Sequence, residues 1–230
     1  MDLARILVQT PIFSGLTPSD VEELLPHLTE RSFDAGETVW MEGDPADALY
    51  VVAEGLLKSY RLSRDGGEVI VGLHPAVGVT GEIGLFHASR TRQVNVTAMN
   101  PSRCLLLRRD PLVAFLSRYP LAMEQLLEQI CGQTVRVAYS FTGMAFDDIR
   151  HRAAGTLLAL ADEFGEPIPG GIRIRLELSQ RTLAALVAAT RENVNRALAP
   201  LIAGGTISQS DTHFVIHDRD ALAAVAEESL

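Results

Sequence analysis

The spacing of hydrophobic positions divides the chain into regions of different secondary structure. Residues 1–30 predict short helices at Asp2–Gln9 and Ser19–Leu28. From Arg31 to Arg109, short apolar runs alternate with Gly-, Asp- and Pro-rich breaks, a pattern typical of a small antiparallel β-barrel or roll. The runs are Glu37–Met41, Ala48–Ala53, Leu56–Leu62, Val69–Leu73, Val94–Ala98 and Cys104–Leu107. The Asp-Gly-Gly sequence at 65–67 predicts a β-hairpin between two of them.

A long helix follows the predicted strands. Its apolar positions are spaced alternately four and three residues apart over about three heptads, which is the spacing of a coiled-coil seam. A helix packed into the core of a monomer would also be apolar, but the spacing does not drift, so we predict a parallel homodimer. The seam residues are Met123, Leu127, Ile130, Thr134, Val137, Phe141 and Met144.

The last third of the chain predicts a helix at Asp147–Phe164, a loop at 167–171 and a strand at Ile172–Leu176. Residues 178–198 then predict two short helices joined by a tight turn, with Thr190 as the N-cap of the second. An alternating pair of short runs predicts a β-hairpin wing. These two runs are Thr206–Ser208 and Phe214–His217.

The two short helices can share one buried apolar face. Its members are Leu183, Leu186, Val187, Val194, Ala197 and Leu198. The same arrangement would point Arg191, Glu192, Asn195 and Arg196 outward from the second helix. Because exposed Arg and Glu near the start of such a helix can reach base edges in a major groove, the pattern predicts a DNA-binding regulator. The alternative is that Glu192 and Arg196 form an ordinary i,i+4 surface pair.

The distribution of charge favours DNA binding in one segment only. The net charge of −9 opposes DNA binding as a whole, since phosphate contacts dominate affinity. The segment from Arg173 to Arg196, however, contains five arginines and two glutamates, a balance of +3. The acidic remainder would discourage non-specific binding.

Composition narrows the remaining function classes. The 230 residues, 47% of them hydrophobic, suffice for one or two domains with their own cores. Cys104 and Cys131 are too few for an iron–sulfur centre, which needs about four Cys ligands, and His74, before Pro75, is expected in a loop rather than as a haem ligand. We recognise no nucleophile–base pair, Walker loop or metal cluster, so we expect no enzyme. Without a signal peptide or a spanning apolar run, we expect a cytoplasmic protein with no membrane partner.

Four segments, in this order, resemble the cyclic-AMP receptor protein and FNR family of bacterial transcription regulators. The segments are Phe33–Val52, Gly81–Phe86, Ala145–Arg150 and Thr190–Arg196. The resemblance implies an α+β fold with three parts. Residues 1–110 would form an effector-sensing antiparallel β-roll with N-terminal helices, 111–145 a dimerisation helix and 146–230 a winged helix-turn-helix domain.

For DNA, the resemblance implies base contacts from Arg191, Glu192 and Arg196 in a palindromic site with TGTGA-like half-sites. Its outward position on the helix makes Asn195 a further expected base contact. It implies phosphate contacts from Ser179, Thr190 and Ser208, and RNA polymerase as a further partner. Two positions depart from the family. Ala188 stands where a glycine is usual, and because Ala tolerates positive φ poorly, we expect a different turn. Thr182 stands where a glutamate is usual, which removes a capping box.

For an effector, the resemblance implies a cyclic nucleotide with its ribose on Glu82 and its phosphate on Arg92. The expected effector-binding residues are Gly81, Glu82, Ile83, Arg92, Gln93 and Thr134. Gln93, Val137 and Ala138 stand where cyclic-AMP sensors carry hydroxyl residues, although Thr134 could replace one of them. Three alternatives therefore remain. They are weak binding of cyclic AMP or another ligand, an effector-independent regulator in which Glu82 and Arg92 are only an ion pair, and a nucleotide-binding module without a DNA-reading role.

Overall fold

The computed structural model describes residues 2–210 and 212–227, which separate into two compact units. The first unit comprises the residues up to Arg61 together with Val71–Arg136. The second comprises Leu62–Ile70 and the residues from Val137 onward.

The first unit begins with short helices. Helix α1 (Leu3–Gln9) follows Asp2, whose carboxylate accepts a hydrogen bond from the N–H of Arg5 at 3.2 Å, and confirms the first predicted helix. The second prediction is wrong. Helix α2 spans only Pro18–Val21, a 3₁₀ turn follows at Glu22–His27, and Leu28 already belongs to a strand. Pro26 has no N–H to give to an α-helix, and this explains the early end.

Two four-stranded sheets follow, with strand orders β1-β8-β3-β6 and β2-β7-β4-β5. The strands are β1 (Leu28–Phe33), β2 (Thr38–Trp40), β3 (Ala48–Glu54), β4 (Leu56–Leu62), β5 (Glu68–Pro75), β6 (Val79–Thr80), β7 (Asn95–Ala98) and β8 (Ser102–Arg108). Each predicted apolar run coincides with a strand, so the predicted roll is confirmed. Strand β1 was not expected, because its central residues are polar and exposed. It forms by antiparallel pairing with β8.

The side chains of strand β3 contribute to two hydrophobic clusters, one on each face of the strand. Leu49, Val51 and Ala53 pack in one hydrophobic cluster with the N-terminal helices, whereas Tyr50 and Val52 pack in a second cluster with residues of the other sheet. Because successive side chains of a strand point to opposite faces, a strand buried on both faces is apolar at every position.

Three helices complete this unit. They are α3 (Glu82–Phe86), α4 (Arg109–Arg118) and the first part of the long α5 (Pro120–Phe146), whose residues from Val137 onward belong to the second unit. The segment 111–145, predicted as one dimerisation helix, thus contains parts of two, since α4 ends and Pro120 starts a new helix. Within the predicted seam, Met123 and Ile130 are partly buried against the roll. The other five seam residues are exposed.

The first helix that lies entirely in the second unit is α6 (Ile149–Phe164). Its N-cap is Asp148, whose carboxylate accepts from the N–H groups of Arg150 and His151, and Gly165 ends it as expected. A four-stranded sheet has the order β11-β12-β10-β9. Its strands are β9 (Gly165–Ile168), β10 (Gly171–Ile174), β11 (Ile207–Gln209) and β12 (Phe214–Ile216). The loop predicted at 167–171 is wrong for its first two residues and for its last, because β9 pairs with β10 in a tight hairpin whose turn is formed by residues 169 and 170.

Three more helices belong to this unit, namely α7 (Gln180–Leu186), α8 (Arg191–Ala203) and α9 (Arg219–Glu227). Helices α7 and α8 are the two predicted short helices, and β11 with β12 is the predicted wing. The roll, the long helix and the C-terminal winged helix-turn-helix confirm the α+β fold. Helix α9 was not foreseen, although its apolar Leu222 and Val225 are buried.

The turn between α7 and α8 corrects one expectation. Ala188 adopts the left-handed conformation, with φ at 50°, rather than a different turn. The turn is held by two hydrogen bonds, from the N–H of Ala189 to the carbonyl of Ala184 and from Nε of Arg152 to the carbonyl of Val187. Ala188 therefore carries backbone strain that a glycine would avoid.

We expect Ala188→Gly to raise the free energy of unfolding by about 0.5–1.5 kcal/mol, because relief of the strain outweighs the added freedom of the unfolded chain. Urea titration of the full chain measures the change. The matched control is Ala159→Gly, at an exposed position of α6 with ordinary helical backbone, which should lose about 1 kcal/mol. A loss of stability in both variants would show that the turn at Ala188 is not strained.

Candidate functional site

Hydroxyl caps set the start of both helices around the turn. Thr190 accepts a hydrogen bond from the N–H of Asn193 at 3.3 Å, which confirms it as the N-cap of α8. Ser179 accepts from the N–H of Thr182 at 3.1 Å, and their two hydroxyl oxygens lie 2.9 Å apart. The hydroxyl of Thr182 contacts the side chain of Ser179 and not its backbone N–H, so α7 has the N-cap hydrogen bond but no capping box, as expected.

The shared apolar face is largely as predicted. Leu183, Val187, Val194 and Leu198 are buried, while Leu186 and Ala197 are partly buried. On the other side of α8, Arg191, Glu192 and Arg196 are exposed. Within the described residues no ion pair joins Glu192 to Arg196, so the alternative i,i+4 pair is not formed.

Asn195 does not point outward as expected. Its side chain is partly buried, and its Oδ1 is enclosed without a hydrogen-bond partner. It lines a cleft of about 280 Å³ together with Leu198 and Ile202 of the same helix and Gln180 and Gln209. The reason is that α8 packs against the wing on this side, so position 195 faces the wing rather than solvent.

A hydrogen-bond chain links Arg191 to the wing. Nε of Arg191 donates to Oε1 of Gln180 at 3.2 Å, and Nε2 of Gln180 donates to Oε1 of Gln209 at 3.1 Å. Sequence reasoning missed both glutamines, because no periodic pattern connects the first residue of α7 with the last residue of β11. All three residues line a cleft of about 450 Å³, together with Ser179 and Arg181.

Ser208, a predicted phosphate contact, lies on β11 with its hydroxyl 2.8 Å from Nε2 of His217. Nδ1 of His217 lies 2.7 Å from the carbonyl oxygen of Gly170. A carbonyl can only accept, so Nδ1 of His217 is the donor to Gly170, and the contact between Nε2 and the hydroxyl of Ser208 is a hydrogen bond whose direction depends on whether Nε2 carries a proton. Among the described residues, His217 is the hydrogen-bond partner of this hydroxyl.

In the roll, Arg92 is a buried cation, with 4% of its surface exposed. Its Nη2 donates to the carbonyl of Ala48 at 2.9 Å and its Nη1 to the carbonyl of Gly81 at 3.3 Å. Cζ lies 4.1 Å from the ring centroid of Trp40 and 5.3 Å from that of Tyr50. Burial lowers the pKa of Arg92 from its usual value, although nearby acidic groups oppose the shift.

Gly81 makes room for this cation. Its φ of 94° is a left-handed conformation, and a Cβ at this position would come within 2.5 Å of Nη1 of Arg92. A side chain is therefore excluded here for two independent reasons. The close approach that the glycine allows is to Arg92, which thereby lies directly beneath the start of α3.

Glu82, the first residue of α3, is a buried carboxylate with 2% of its surface exposed. Its Oε1 accepts from Nε2 of Gln133 and, at 3.5 Å, from Nε2 of Gln129, both on α5. Its Oε2 is buried without a hydrogen-bond partner. Burial raises the pKa of Glu82, while hydrogen bonds from its own main chain and from Gln133 act in the opposite direction.

The ion-pair interpretation of this site is wrong. Glu82 and Arg92, both well within the described residues, form no direct ion pair; the guanidinium donates to main-chain carbonyls, and the two charges interact only through space. Sequence reasoning also missed Gln129 and Gln133. Their i,i+4 spacing on a helix next to the predicted seam is a weak signal that could have found them.

Two other predicted effector-binding residues, Gln93 and Thr134, form hydrogen bonds with residues outside this site. Nε2 of Gln93 donates to the carbonyl of Thr91 at 2.9 Å and to Oγ of Ser89 at 3.1 Å. Thr134 is exposed, and its hydroxyl donates to the carbonyl of Ile130 at 3.0 Å. Ile83 is 46% exposed. The structure thus brings Gly81 and Arg92 into contact, and it does not turn the side chains of Gln93 or Thr134 towards them.

His74 lies in strand β5, so its assignment to a loop is wrong. Its Nε2 lies 3.1 Å from Oγ of Ser59 and 3.4 Å from Oγ1 of Thr80. Burial lowers the pKa of His74 to about 4, so the imidazole is neutral at ordinary pH.

Residues 2–210 and 212–227 contain no group of three or more His, Cys, Asp or Glu placed to hold a metal ion. In that same part of the chain, no helix combines the length and apolarity needed to span a bilayer.

Comparison with known proteins agrees with this architecture. Residues 30–119 match the cyclic nucleotide-binding domain, and residues 151–225 match the Crp-like helix-turn-helix domain. The fold and sites thus define a DNA-binding transcription regulator with a cyclic nucleotide-binding domain. The chain belongs to the Crp/Fnr family of such regulators.

Individual relatives cover nearly the whole chain. A "CRP-like cAMP-activated global transcriptional regulator" of Mycobacterium tuberculosis is 33% identical over 219 residues, which are 95% of this chain and 97% of the relative. The structure of FixK2 from Bradyrhizobium japonicum has a TM-score of 0.77 at 22% identity and covers 88% of this chain and 99% of its own. The c-di-GMP responsive regulator CLP of Xanthomonas campestris has a TM-score of 0.76 at 25% identity and covers 87% and 99%.

Proposed function

We propose that the protein is a homodimeric regulator that reads a palindromic DNA site with α8 and responds to a small anionic effector in the roll. The observation that carries the DNA-reading part is the exposed trio Arg191, Glu192 and Arg196 near the start of a well-capped helix. An arginine fork matches the O6 and N7 atoms of guanine, and a glutamate accepts from the N4 amine of cytosine. Asn195 is a weaker candidate, because its Oδ1 is enclosed.

Phosphate contacts would fix the register of this helix on DNA without reading sequence. Ser179 and Thr190 stand at the N-termini of α7 and α8, where free N–H groups favour an anion. Ser208 stands on the wing strand β11. Arg181 and Arg191 add positive charge to the cleft beside Ser179, as a phosphate-facing surface requires.

A second copy of the chain is the occupant that best suits α5. Leu127, Val137, Phe141 and Met144 expose large apolar side chains at seam spacing, and monomeric proteins rarely leave such a stripe in water. A two-fold dimer would place two copies of α8 on neighbouring half-sites. Palindromic DNA is the matching partner, because its symmetry is the same.

Arg92 and Glu82 support a cyclic nucleotide as the effector. The unpartnered Oε2 of Glu82 can accept from a ribose hydroxyl, and Arg92 can attract a phosphate. We propose that cyclic AMP binds weakly, since Gln133 already occupies Oε1 and positions 137 and 138 lack hydroxyls. The Mycobacterium tuberculosis relative is named as cAMP-activated, which favours testing cyclic AMP first.

A regulator without an effector is the second candidate. The specific observation in its favour is that Oε1 of the buried Glu82 already accepts from the side chains of Gln133 and Gln129 on α5. In that case the α5 glutamines would hold the roll in one state permanently. Calorimetric titration with cyclic mono- and dinucleotides distinguishes the two candidates.

We expect Arg191→Ala and Arg196→Ala each to cost about 1–3 kcal/mol of specific binding and to relax the preference at one guanine position per half-site. The preferred site, selected from random DNA, should contain half-sites about one helical turn apart. Binding titrations against single-base variants of that site give the measurement. The control is Arg175→Ala, which removes an exposed charge outside α8 and should weaken all sequences equally. Unchanged base preferences in both α8 variants would contradict the assignment.

A further inference from the structure

We propose that Gln180 and Gln209 are positioning residues that set the base specificity of Arg191, so that the wing takes part in sequence reading without touching a base. This inference rests on the proposed role of Arg191 as a base reader. It adds two residues that act through Arg191, one at the start of α7 and the other at the end of β11.

The geometry leaves the reading end of Arg191 free. Only Nε is used by Gln180, at 3.2 Å. Within the described part of the chain, Nη1 and Nη2 form no hydrogen bond. A planar guanidinium held through Nε keeps these two donors side by side, which is the arrangement that matches O6 and N7 of a guanine. The bond therefore orients the fork without competing with the base.

Gln209 decides which atom Gln180 presents. A glutamine amide offers an acceptor oxygen on one side and a donor NH₂ on the other, and rotation by half a turn exchanges them. Because Oε1 of Gln209 accepts from Nε2 of Gln180 at 3.1 Å, the oxygen of Gln180 is turned towards Arg191. Without an acceptor at position 209, only Arg191 favours this orientation of the amide, so Gln180 turns more freely and holds Arg191 less firmly.

The wing gives Gln209 a fixed position. Gln209 is the last residue of β11 and pairs with Phe214 of β12, whose ring is fully buried. The neighbouring Ile207 is also buried. The acceptor at the end of the chain of hydrogen bonds is thus anchored by a packed hairpin, and a shift of this hairpin would be transmitted to Arg191.

Direct phosphate contact by the same glutamines is the competing explanation, and it predicts a different result. A lost phosphate contact weakens binding to all sequences alike and lowers its salt dependence. A lost positioning contact changes preference at the single base that Arg191 reads. The two effects are separated by measuring a full set of single-base variants at several salt concentrations.

The test uses Gln209→Met and Gln180→Met in the full-length protein, since methionine keeps the length of the side chain and removes the amide. Each variant should reduce the guanine preference at the Arg191 position about fivefold, the value of one net hydrogen bond, and leave the preference at the Arg196 position unchanged. Placing 7-deazaguanine at the Arg191 position should weaken wild-type binding more than it weakens binding by Gln209→Met. Arg181→Met, at an exposed position beside Gln180, is the control and should weaken all sequences equally.

Combination with Arg191→Ala distinguishes the possible failures. If the proposal holds, Gln209→Met has no further effect on base preference in the Arg191→Ala background. If Arg191→Ala relaxes one position but both methionine variants keep the wild-type preference, the positioning role is overturned while the base-reading role stands. If Arg191→Ala itself leaves the base preference unchanged at every position, both the base-reading role of Arg191 and the positioning role of the glutamines are overturned. Two independent methionine variants and their melting temperatures separate these outcomes from simple loss of the fold.

Discussion

Replacing Val137 and Phe141 of α5 together by aspartate is expected to convert the protein into a monomer and to weaken binding to a palindromic site by at least about a hundredfold. In a two-fold dimer each new carboxylate would meet its mate across the seam, so like charges would be buried together. The monomer would then engage half-sites one at a time and lose the gain that linked binding provides.

The choice of positions follows from the burial of α5. Val137 and Phe141 are 61% and 70% exposed in the single chain, so their replacement leaves its own core intact. Met123 and Ile130 pack against the roll, and aspartate there would damage the fold rather than the seam. The matched control is Tyr139→Asp, because this residue is 74% exposed but lies on the opposite side of the helix.

Sedimentation or light scattering at micromolar concentration measures the result, and binding to whole and half palindromes follows it functionally. We expect wild type and the Tyr139 variant to be dimers and the double variant to be a monomer. A monomeric wild type, or a double variant that remains dimeric, would exclude α5 as the dimer seam.

Glu82→Gln is expected to change stability and effector binding in opposite directions. The glutamine keeps an acceptor for Gln133 but removes a buried charge, so the free energy of unfolding at neutral pH should rise. Cyclic AMP should bind about tenfold or more weakly, because hydrogen bonds to a charged acceptor are stronger than those to a neutral one. A purely structural residue would not show this opposition.

The pH dependence has a definite sign. Burial raises the pKa of Glu82 in the folded protein above its unfolded value, so the folded state retains its proton to higher pH. Its contribution to stability is present below the unfolded pKa and is lost as pH rises through the folded pKa. The advantage of Glu82→Gln over wild type should therefore be small in acid and grow towards neutral pH.

Urea unfolding at several pH values, together with calorimetric titration of cyclic AMP, measures both effects. Glu128→Gln, at an exposed position on α5, removes the same charge without burial and should change neither quantity appreciably. Lower stability of Glu82→Gln at neutral pH would show that the carboxylate is stabilised in place. Unchanged cyclic-AMP affinity would remove Glu82 from the proposed ribose site.

Local patterns in the sequence were enough for much of this protein. The a/d spacing predicts α5, and the apolar runs between Gly- and Asp-rich breaks predict the strands of the roll. The cap at Thr190 and the apolar face of residues 183–198 predict the two helices of the helix-turn-helix. Each of these signals arises within a short stretch of chain, because periodicity and capping depend on neighbours along the backbone.

The sequence patterns did not predict contacts between segments that are distant along the chain. Strand β1 has polar central residues and forms because it pairs with β8. Its sequence therefore lacks the alternation of apolar and polar residues that would predict a strand. Ala188 adopts a left-handed conformation that its residue type disfavours, because the packing and hydrogen bonds around the turn outweigh the local cost. Asn195 has the outward position of a base reader on a helical wheel, yet its oxygen is enclosed on the side of the wing.

The amino-acid sequence by itself determined the order of the elements, the Crp/Fnr resemblance and the exposed Arg191, Glu192 and Arg196 of α8. Only the tertiary structure decided what the polar side chains of the two sites touch. Arg92 donates to main-chain carbonyls rather than to Glu82. Glu82 accepts a hydrogen bond from Gln133, which lies 51 residues further along the chain on α5. Arg191 donates to Gln180, which in turn donates to Gln209. A hydrogen bond depends on the distance and direction between two atoms, and for residues far apart in the chain the fold alone sets both.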